Sequence, residues 1–272
     1  MTLPAANGQT VPKLESPVVL VHGLLGYDEL KLFGLTLKHY FPGIPEVLRS
    51  AGNKVLVPRL SPTSGIRDRA NELRDFLQRE VPGGTVHLIA HSMGGLDCRY
   101  LISCLGMERR VRSLTTIGTP HRGSSFADWC LERFSRVLQP LLDRLGIPYQ
   151  AFFDLTTESC LYFNETVLDA DNVRYFSVAG VFEPTWLHPE WKLPHDVVFR
   201  SEGPNDGVVS VASASYGEHT EIWQGDHLSL VNWSSPAQQV LGNRIDRIPQ
   251  YVDIVRRLSA LEKQMTQENQ LV

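Results

Sequence analysis

The stretch Val86-His87-Leu88-Ile89-Ala90-His91-Ser92-Met93-Gly94-Gly95 decides the fold. Val86 to Ala90 reads as a short strand, and Leu96, Tyr100, Leu101, Cys104 and Leu105 then recur at helical spacing. Serine thus stands at the apex of a strand-turn-helix unit. Small residues two positions to either side, Ala90 and Gly94, let strand and helix pass close together and leave the hydroxyl exposed. Glycine is more usual at position 90, but alanine is small enough. The helix that begins after Ser92 aims backbone N–H groups at the turn, where they favour a developing oxyanion. The plainer alternative is that Ser92 merely caps a helix at an ordinary βα turn.

The same alternation extends outward. Val18 to Val21 is a continuous apolar run stopped by His22-Gly23, Val55-Leu56-Val57 ends at Pro58, and Leu114 to Ile117 ends at Gly118. Such runs suit parallel strands covered on both faces and joined by crossover helices. Ile66, Ala70, Leu73, Phe76 and Leu77 mark one such helix, with Arg67, Asp68, Arg69, Glu72, Arg74 and Asp75 on its other face. From Phe126 to Leu145 the apolar helical face is wide and bulky, and Pro140 should split it. A strand is expected within 172–179, a loop over 183–194, weaker strands at Val208-Val209 and Glu221 to Trp223, and a closing helix through Tyr251, Ile254, Val255, Leu258 and Leu261. The polar residues from Gln264 onward should fray. With no repeat and no linker, residues 1–272 are expected to form one domain.

Composition narrows the function. The 272 residues are 42% apolar and 21% charged, ordinary globular usage that excludes a disordered or collagen-like chain. A formal charge of −4 without a basic cluster argues against nucleic acid as a partner. Cys98, Cys104, Cys130 and Cys160 show no metal-ligand spacing and are expected as free, mostly buried thiols. No run approaches the roughly 20 apolar residues of a membrane span. Residues 1–16 lack a signal-peptide pattern, which favours a soluble cytoplasmic protein and leaves secretion open for a chain that has lost a leader.

A serine hydroxyl needs a histidine to accept its proton and a carboxylate to hold that histidine's tautomer. Both should follow Ser92 in the order acid, then histidine. Asp154, Asp169, Asp171, Asp196, Asp206 and Asp226 are the candidate acids, and His188, His195, His219 and His227 the candidate bases. Asp206 lies in the turn-rich Gly203-Pro204-Asn205-Asp206-Gly207, although Asn-Asp-Gly is also plain turn chemistry. His227 follows the late strand as a catalytic loop should, whereas His219 precedes it. His22-Gly23-Leu24-Leu25-Gly26 follows the first strand, so the N–H groups of Leu24 and Met93 could form an oxyanion hole. The His22 side chain is expected only to brace that loop.

These stretches resemble the bacterial true lipases of the Pseudomonas and Burkholderia type, in the α/β-hydrolase superfamily. The similarity runs in order through 21–28, 40–45, 90–95, 118–124, 205–209 and 227–228. It implies an α/β-hydrolase fold with a mostly parallel sheet and a helical lid at 124–165. It also implies Ser92 as nucleophile, Asp206 as acid, His227 as base, Leu24 and Met93 as oxyanion donors, and Leu25, Phe126 and Trp129 as substrate contacts. The implied reaction is cofactor-free hydrolysis of acylglycerols or similar lipid esters through an acyl-enzyme, with transient contact at a lipid interface. A short-chain esterase, an acyltransferase and a non-catalytic lipid-binding protein are the alternatives. Two departures stand out. The group holds a structural calcium through an aspartate two residues after the catalytic histidine and a glutamine four further on, where this chain has Ser229 and Trp233. No family-type metal site is therefore expected. Nor can the disulfide found late in many of these lipases form, since no cysteine lies beyond Cys160.

Overall fold

The structure is a computed structural model and describes residues 10–24, 30–32, 35–37, 40–133, 150–185, 188–234 and 245–271. Its centre is a six-stranded parallel sheet in the order β4-β1-β5-β6-β7-β8. The strands are β1 (Val18–Val21), β4 (Val55–Leu56), β5 (Val86–His91), β6 (Val111–Ile117), β7 (Arg174–Val181) and β8 (His219–Gln224). A separate antiparallel pair, β2 (Leu30–Leu32) and β3 (Leu35–Leu37), follows β1.

The period of two along each strand divides the core between two faces. Val18 and Leu20 of β1 join Ile89 in the layer covered by α1 (Ile44–Ser50) and the closing helix, α9 (Ile248–Leu271), through Ile44, Leu48, Tyr251, Ile254 and Leu258. Val19 and Val21 face the other way. They meet Leu73 and Leu77 of α2 (Ile66–Glu80) and Leu101 and Ile102 of α3 (Met93–Cys104). Each such side chain taken from water contributes roughly 1.5–3 kcal/mol, which makes β1 and β5 the rigid base for the loops at their C-terminal ends. Helical residues at 125–133 (α4), α5 (Gln150–Asp154) and α6 (Thr157–Thr166) come between β6 and β7, and α7 (Pro189–Glu202) and α8 (Val211–Ala214) between β7 and β8.

Several local expectations need correction. Arg69 does not belong to the solvated face of α2. It is fully buried because a charge partner, Asp97 on α3, waits at 2.8 Å. The expected loop at 183–194 gives way to helix from Pro189, whose fixed φ suits a first helical turn, and Pro194 lies inside that helix. Val208-Val209 is not a strand, because the Asp206 carboxylate folds both backbone N–H groups into a turn. The helix expected to fray at Gln264 continues to Leu271. Cys98 and Cys160 are buried as expected, whereas Cys104 is exposed near the end of α3. Pro140 and its expected helix break lie outside the described residues.

Candidate active site

Ser92 joins β5 to α3 at φ 56°, ψ −133°, a conformation that costs a non-glycine residue about 1–3 kcal/mol. The surroundings hold it there. Ser92 N–H donates to Ile117 O at 2.9 Å, and the Ser92 carbonyl accepts Thr119 Oγ1–H at 2.8 Å. The helix can follow so tightly because Gly94 has no side chain, as a Cβ there would lie 2.7 Å from His22 O. This is the close passage of strand and helix that small residues around Ser92 predict.

Asp206 is fully buried in the turn before α8. Its Oδ1 accepts N–H bonds from Val208 at 3.1 Å and Val209 at 2.8 Å, leaving Oδ2 to accept His227 Nδ1–H at 2.7 Å. His227 N–H also donates to Asp206 O at 2.7 Å, so backbone and side chain both dock the histidine loop onto the acid loop. Gly118 and Gly180 leave room for that pair, since a Cβ on either would come within 3.0 Å of Asp206 atoms. The ring of His91, the residue before Ser92, lies 4.5 Å centroid to centroid from that of His227. The structure thus brings Asp206 and His227 into direct contact, and both into the neighbourhood of Ser92.

Of the other candidates, Asp171 is exposed in the turn before β7, and the rest have different partners. Asp154 accepts the first N–H of α2, Asp169 accepts Tyr216 Oη–H, and Asp196 pairs with Lys192. Asp226 Oδ1 accepts the N–H groups of Leu228 and Ser229. His188 contacts Thr185 and Phe182, His195 lies 3.4 Å from Asp196, and His219 opens β8 on an exposed face.

The loop after β1 is braced through the imidazole of His22. Leu60 N–H donates to His22 Nε2 at 3.0 Å, so the neutral ring carries its proton on Nδ1, which donates to Gly23 O at 2.9 Å. Burial, reinforced by Arg69, lowers the His22 pKa to about 3 and keeps the ring neutral. Because the trans peptide is planar, holding the Gly23 carbonyl also sets the direction of the Leu24 N–H. His22 is a brace, as the sequence suggests. Leu24 and the fully buried Met93 anchor their side chains in one apolar cluster with Ile66, Leu96, Cys160 and Phe163.

Of the expected substrate contacts, Leu25 lies outside the described residues, and Phe126 and Trp129 stack with centroids 5.9 Å apart on α4. Most of the middle of the expected lid, 134–149, also lies outside them. The donor set does not fit the family calcium. Ser229 Oγ–H donates to Asp226 O at 2.6 Å, Trp233 is buried against Tyr40, and the Arg247 guanidinium already donates to the carbonyls of Gln224 and Ser229.

Sequence reasoning missed three features. Arg69 and Asp97 form a wholly buried pair under the loop after β1, with Arg69 also donating to His22 O at 2.7 Å. Tyr40 and His91 bridge two loops of the site. At the opposite end of β5, Ser113 Oγ, His87 and Glu262 are bonded in series at 2.7 and 3.2 Å. That last array has the bonding order of a catalytic triad, yet its serine is fully buried and both Glu262 oxygens accept backbone N–H groups. A serine, a histidine and a carboxylate serve as a structural clip there. Only the presence of His87 and His91 at the two ends of β5 hints at the last two.

Comparisons with known proteins agree with this architecture. A family model described as palmitoyl protein thioesterase matches residues 17–176. Triacylglycerol lipase 2 of Saccharomyces cerevisiae is 32% identical over 303 aligned residues, covering 90% of this chain and 91% of its own. A triacylglycerol lipase of Pseudarthrobacter phenanthrenivorans is 42% identical over 232 residues, covering 82% of this chain and 65% of its own. Among solved structures, the mature Bacillus licheniformis lipase BlEst2 superposes with a TM-score of 0.63 at 25% identity, over 83% of this chain and 91% of that one. The Staphylococcus hyicus lipase superposes with a TM-score of 0.72 over 96% of this chain and 100% of that one, and at 18% identity it speaks to the fold alone. With a family model over more than half its length and a full-length relative above 30% identity, the chain belongs to the triacylglycerol lipase and palmitoyl thioesterase family of α/β-hydrolases and is a lipid-ester hydrolase.

Proposed function

We propose that Ser92, His227 and Asp206 form the catalytic triad of a serine lipase acting on acylglycerols or similar lipid esters. The observation that carries the reading is the 2.7 Å bond from His227 Nδ1 to a buried Asp206 carboxylate, beside a serine held in a strained elbow. That bond puts the lone pair of His227 on Nε2, the nitrogen that must act as base. Ser92 Oγ attacks the ester carbonyl as its proton passes to His227 Nε2. The tetrahedral oxyanion accepts the N–H groups of Leu24 and Met93. His227 returns the proton to the departing alcohol, leaving an acyl-enzyme. Water, deprotonated by the same nitrogen, then cleaves the acyl-serine bond and releases the acid. None of these steps calls for a cofactor.

Residues 124–165 are assigned as a lid over the acyl site, with Leu25, Phe126 and Trp129 as apolar contacts. The stacked rings of Phe126 and Trp129 support that role. A lid with such rings fits transient contact with a lipid interface.

The test is labelling with a lipid-like phosphonate, followed by p-nitrophenyl ester assays from acetate to palmitate on wild type and Ser92→Ala. Labelling at Ser92, loss of turnover in the alanine variant and activity on long chains are expected. An unlabelled Ser92 or undiminished turnover would remove the triad, and activity confined to acetate and butyrate would make the protein a simple esterase.

A further inference from the structure

The hydroxyl of Tyr40 sits between two loops that the mechanism uses. Gly23 N–H donates to Tyr40 Oη at 3.0 Å, Tyr40 Oη lies 2.8 Å from His91 Nδ1, and His91 Nε2 lies 3.0 Å from the carbonyl of His227. Chemistry fixes the direction of every bond. A carbonyl only accepts, so His91 Nε2 carries the proton. Burial first, and then the neighbouring His227, holds the His91 pKa well below the ordinary imidazole range, so the ring is neutral and its Nδ1 accepts. Tyr40 O–H must therefore donate to Nδ1, and its lone pair takes the Gly23 N–H. An N–H at one end and a C=O at the other forbid the reverse polarity.

The ends of this chain belong to elements that are not neighbours in the sheet. Gly23 follows β1 and His227 follows β8, and three strands lie between β1 and β8. No direct ladder hydrogen bond therefore joins the two loops. Tyr40 and His91 are themselves held rigidly. His91 is fully buried at the end of β5, and Tyr40 packs against Phe41, His22 and Trp233. Gly23 also lies against the nucleophile, since a Cβ there would come 2.6 Å from Ser92 Cβ.

We propose that Tyr40 and His91 are positioning residues, a polar relay that locks the oxyanion loop and the His227 loop into one register across Ser92. The relay touches no reacting atom. It acts by holding the Gly23-Leu24 segment and the His227 backbone where an oxyanion hole and a general base must be at the same moment. The proposal rests on the triad assignment above and adds to it the tie between loops that sequence leaves unconnected.

The test is a double-mutant cycle on the full chain with Tyr40→Phe, His91→Ala and the pair, assayed with one p-nitrophenyl ester. Each single variant should lower kcat by about 10- to 100-fold, the effect of sub-ångström to ångström misplacement, with KM changed less than about threefold. Because the relay works as a unit, the double variant should be no slower than about twofold below the worse single variant. Leu258→Ala, which loosens the same core from the closing helix and lies outside the relay, should keep wild-type kcat at a matched loss of thermal stability. Should Tyr40→Phe not yield folded protein, His91→Ala breaks the same link from its other end. Unchanged kcat in a folded single variant, additive losses in the double, or an equal loss in Leu258→Ala would overturn the relay. Ser92→Ala in the same assay separates the two readings. Retained turnover there removes the triad and the relay with it, whereas a dead Ser92→Ala beside a fully active Tyr40→Phe removes the relay alone.

Discussion

Arg69 and Asp97 meet at 2.8 Å with both side chains wholly shielded from solvent, joining α2 to α3 beneath the loop that carries Leu24. Burial pushes the Asp97 carboxyl up to about 7 against the pull of Arg69, and its Oδ1 has no hydrogen-bond partner among the described residues. The pair is costly to bury and more costly to break. Asp97→Ala should lower stability in urea by about 3–5 kcal/mol, because it strands a buried guanidinium. Arg69→Met combined with Asp97→Leu should recover most of that loss. A loss below about 1 kcal/mol in Asp97→Ala would show that water reaches the pair.

Asp206 has two separable duties, since one oxygen orients His227 and the other builds the turn. Asp206→Asn can keep the turn and lose the charge, so kcat should fall on the order of 10⁴-fold while the melting temperature stays near that of wild type. Asp206→Ala should lose both. Steady-state kinetics beside thermal melts of the two variants decide whether the duties separate.

Glu262 gives the fold a defined acid sensitivity. Burial opposes its charge, but His87 and the N–H groups of Glu15 and Ser16 outweigh that and pull the carboxyl down to about 2. A depressed carboxyl stabilises the fold above its unfolded pKa of about 4.3, and that stability drains away as pH falls toward 2. Wild type should lose stability across this window. Glu262→Gln should be less stable at pH 7 and show a shallower slope between pH 4.5 and 2. Denaturant midpoints at several pH values measure both, and parallel curves would contradict the assignment.

The thiols should differ in reactivity. Cys104 is exposed, whereas Cys98 and Cys160 are buried, with burial pushing the Cys160 thiol up to about 12. In a thiol titration of the native protein, Cys104 should react with an aromatic disulfide reagent well before Cys98 and Cys160, which should wait for unfolding. Early labelling of Cys160, read by peptide mapping, would mean that α6 opens readily.

The sequence by itself determined the parallel sheet and the serine elbow. Those depend on local properties, namely apolar runs of strand length, helical spacing after Ser92 and small side chains at positions 90 and 94. Asp206 and His227 were legible as candidates from chain order and turn chemistry, and the family resemblance singled them out. The lone-pair geometry that joins them was not. Only the tertiary structure decided that Arg69 leaves the solvated face of α2, that Val208-Val209 folds around a carboxylate instead of forming a strand, and that Ser113, His87 and Glu262 form a sealed clip while Asp206 and His227 lie beside Ser92. It also decided that Tyr40 and His91 bridge loops from β1 and β8. The turn at Asp206 is local, its carboxylate lying two and three residues from the N–H groups it accepts, and the physical reason is common to the other three. A hydrogen bond or ion pair depends on placement to within a few tenths of an ångström of residues as many as 247 positions apart, and side-chain periodicity carries no information about a partner on another element.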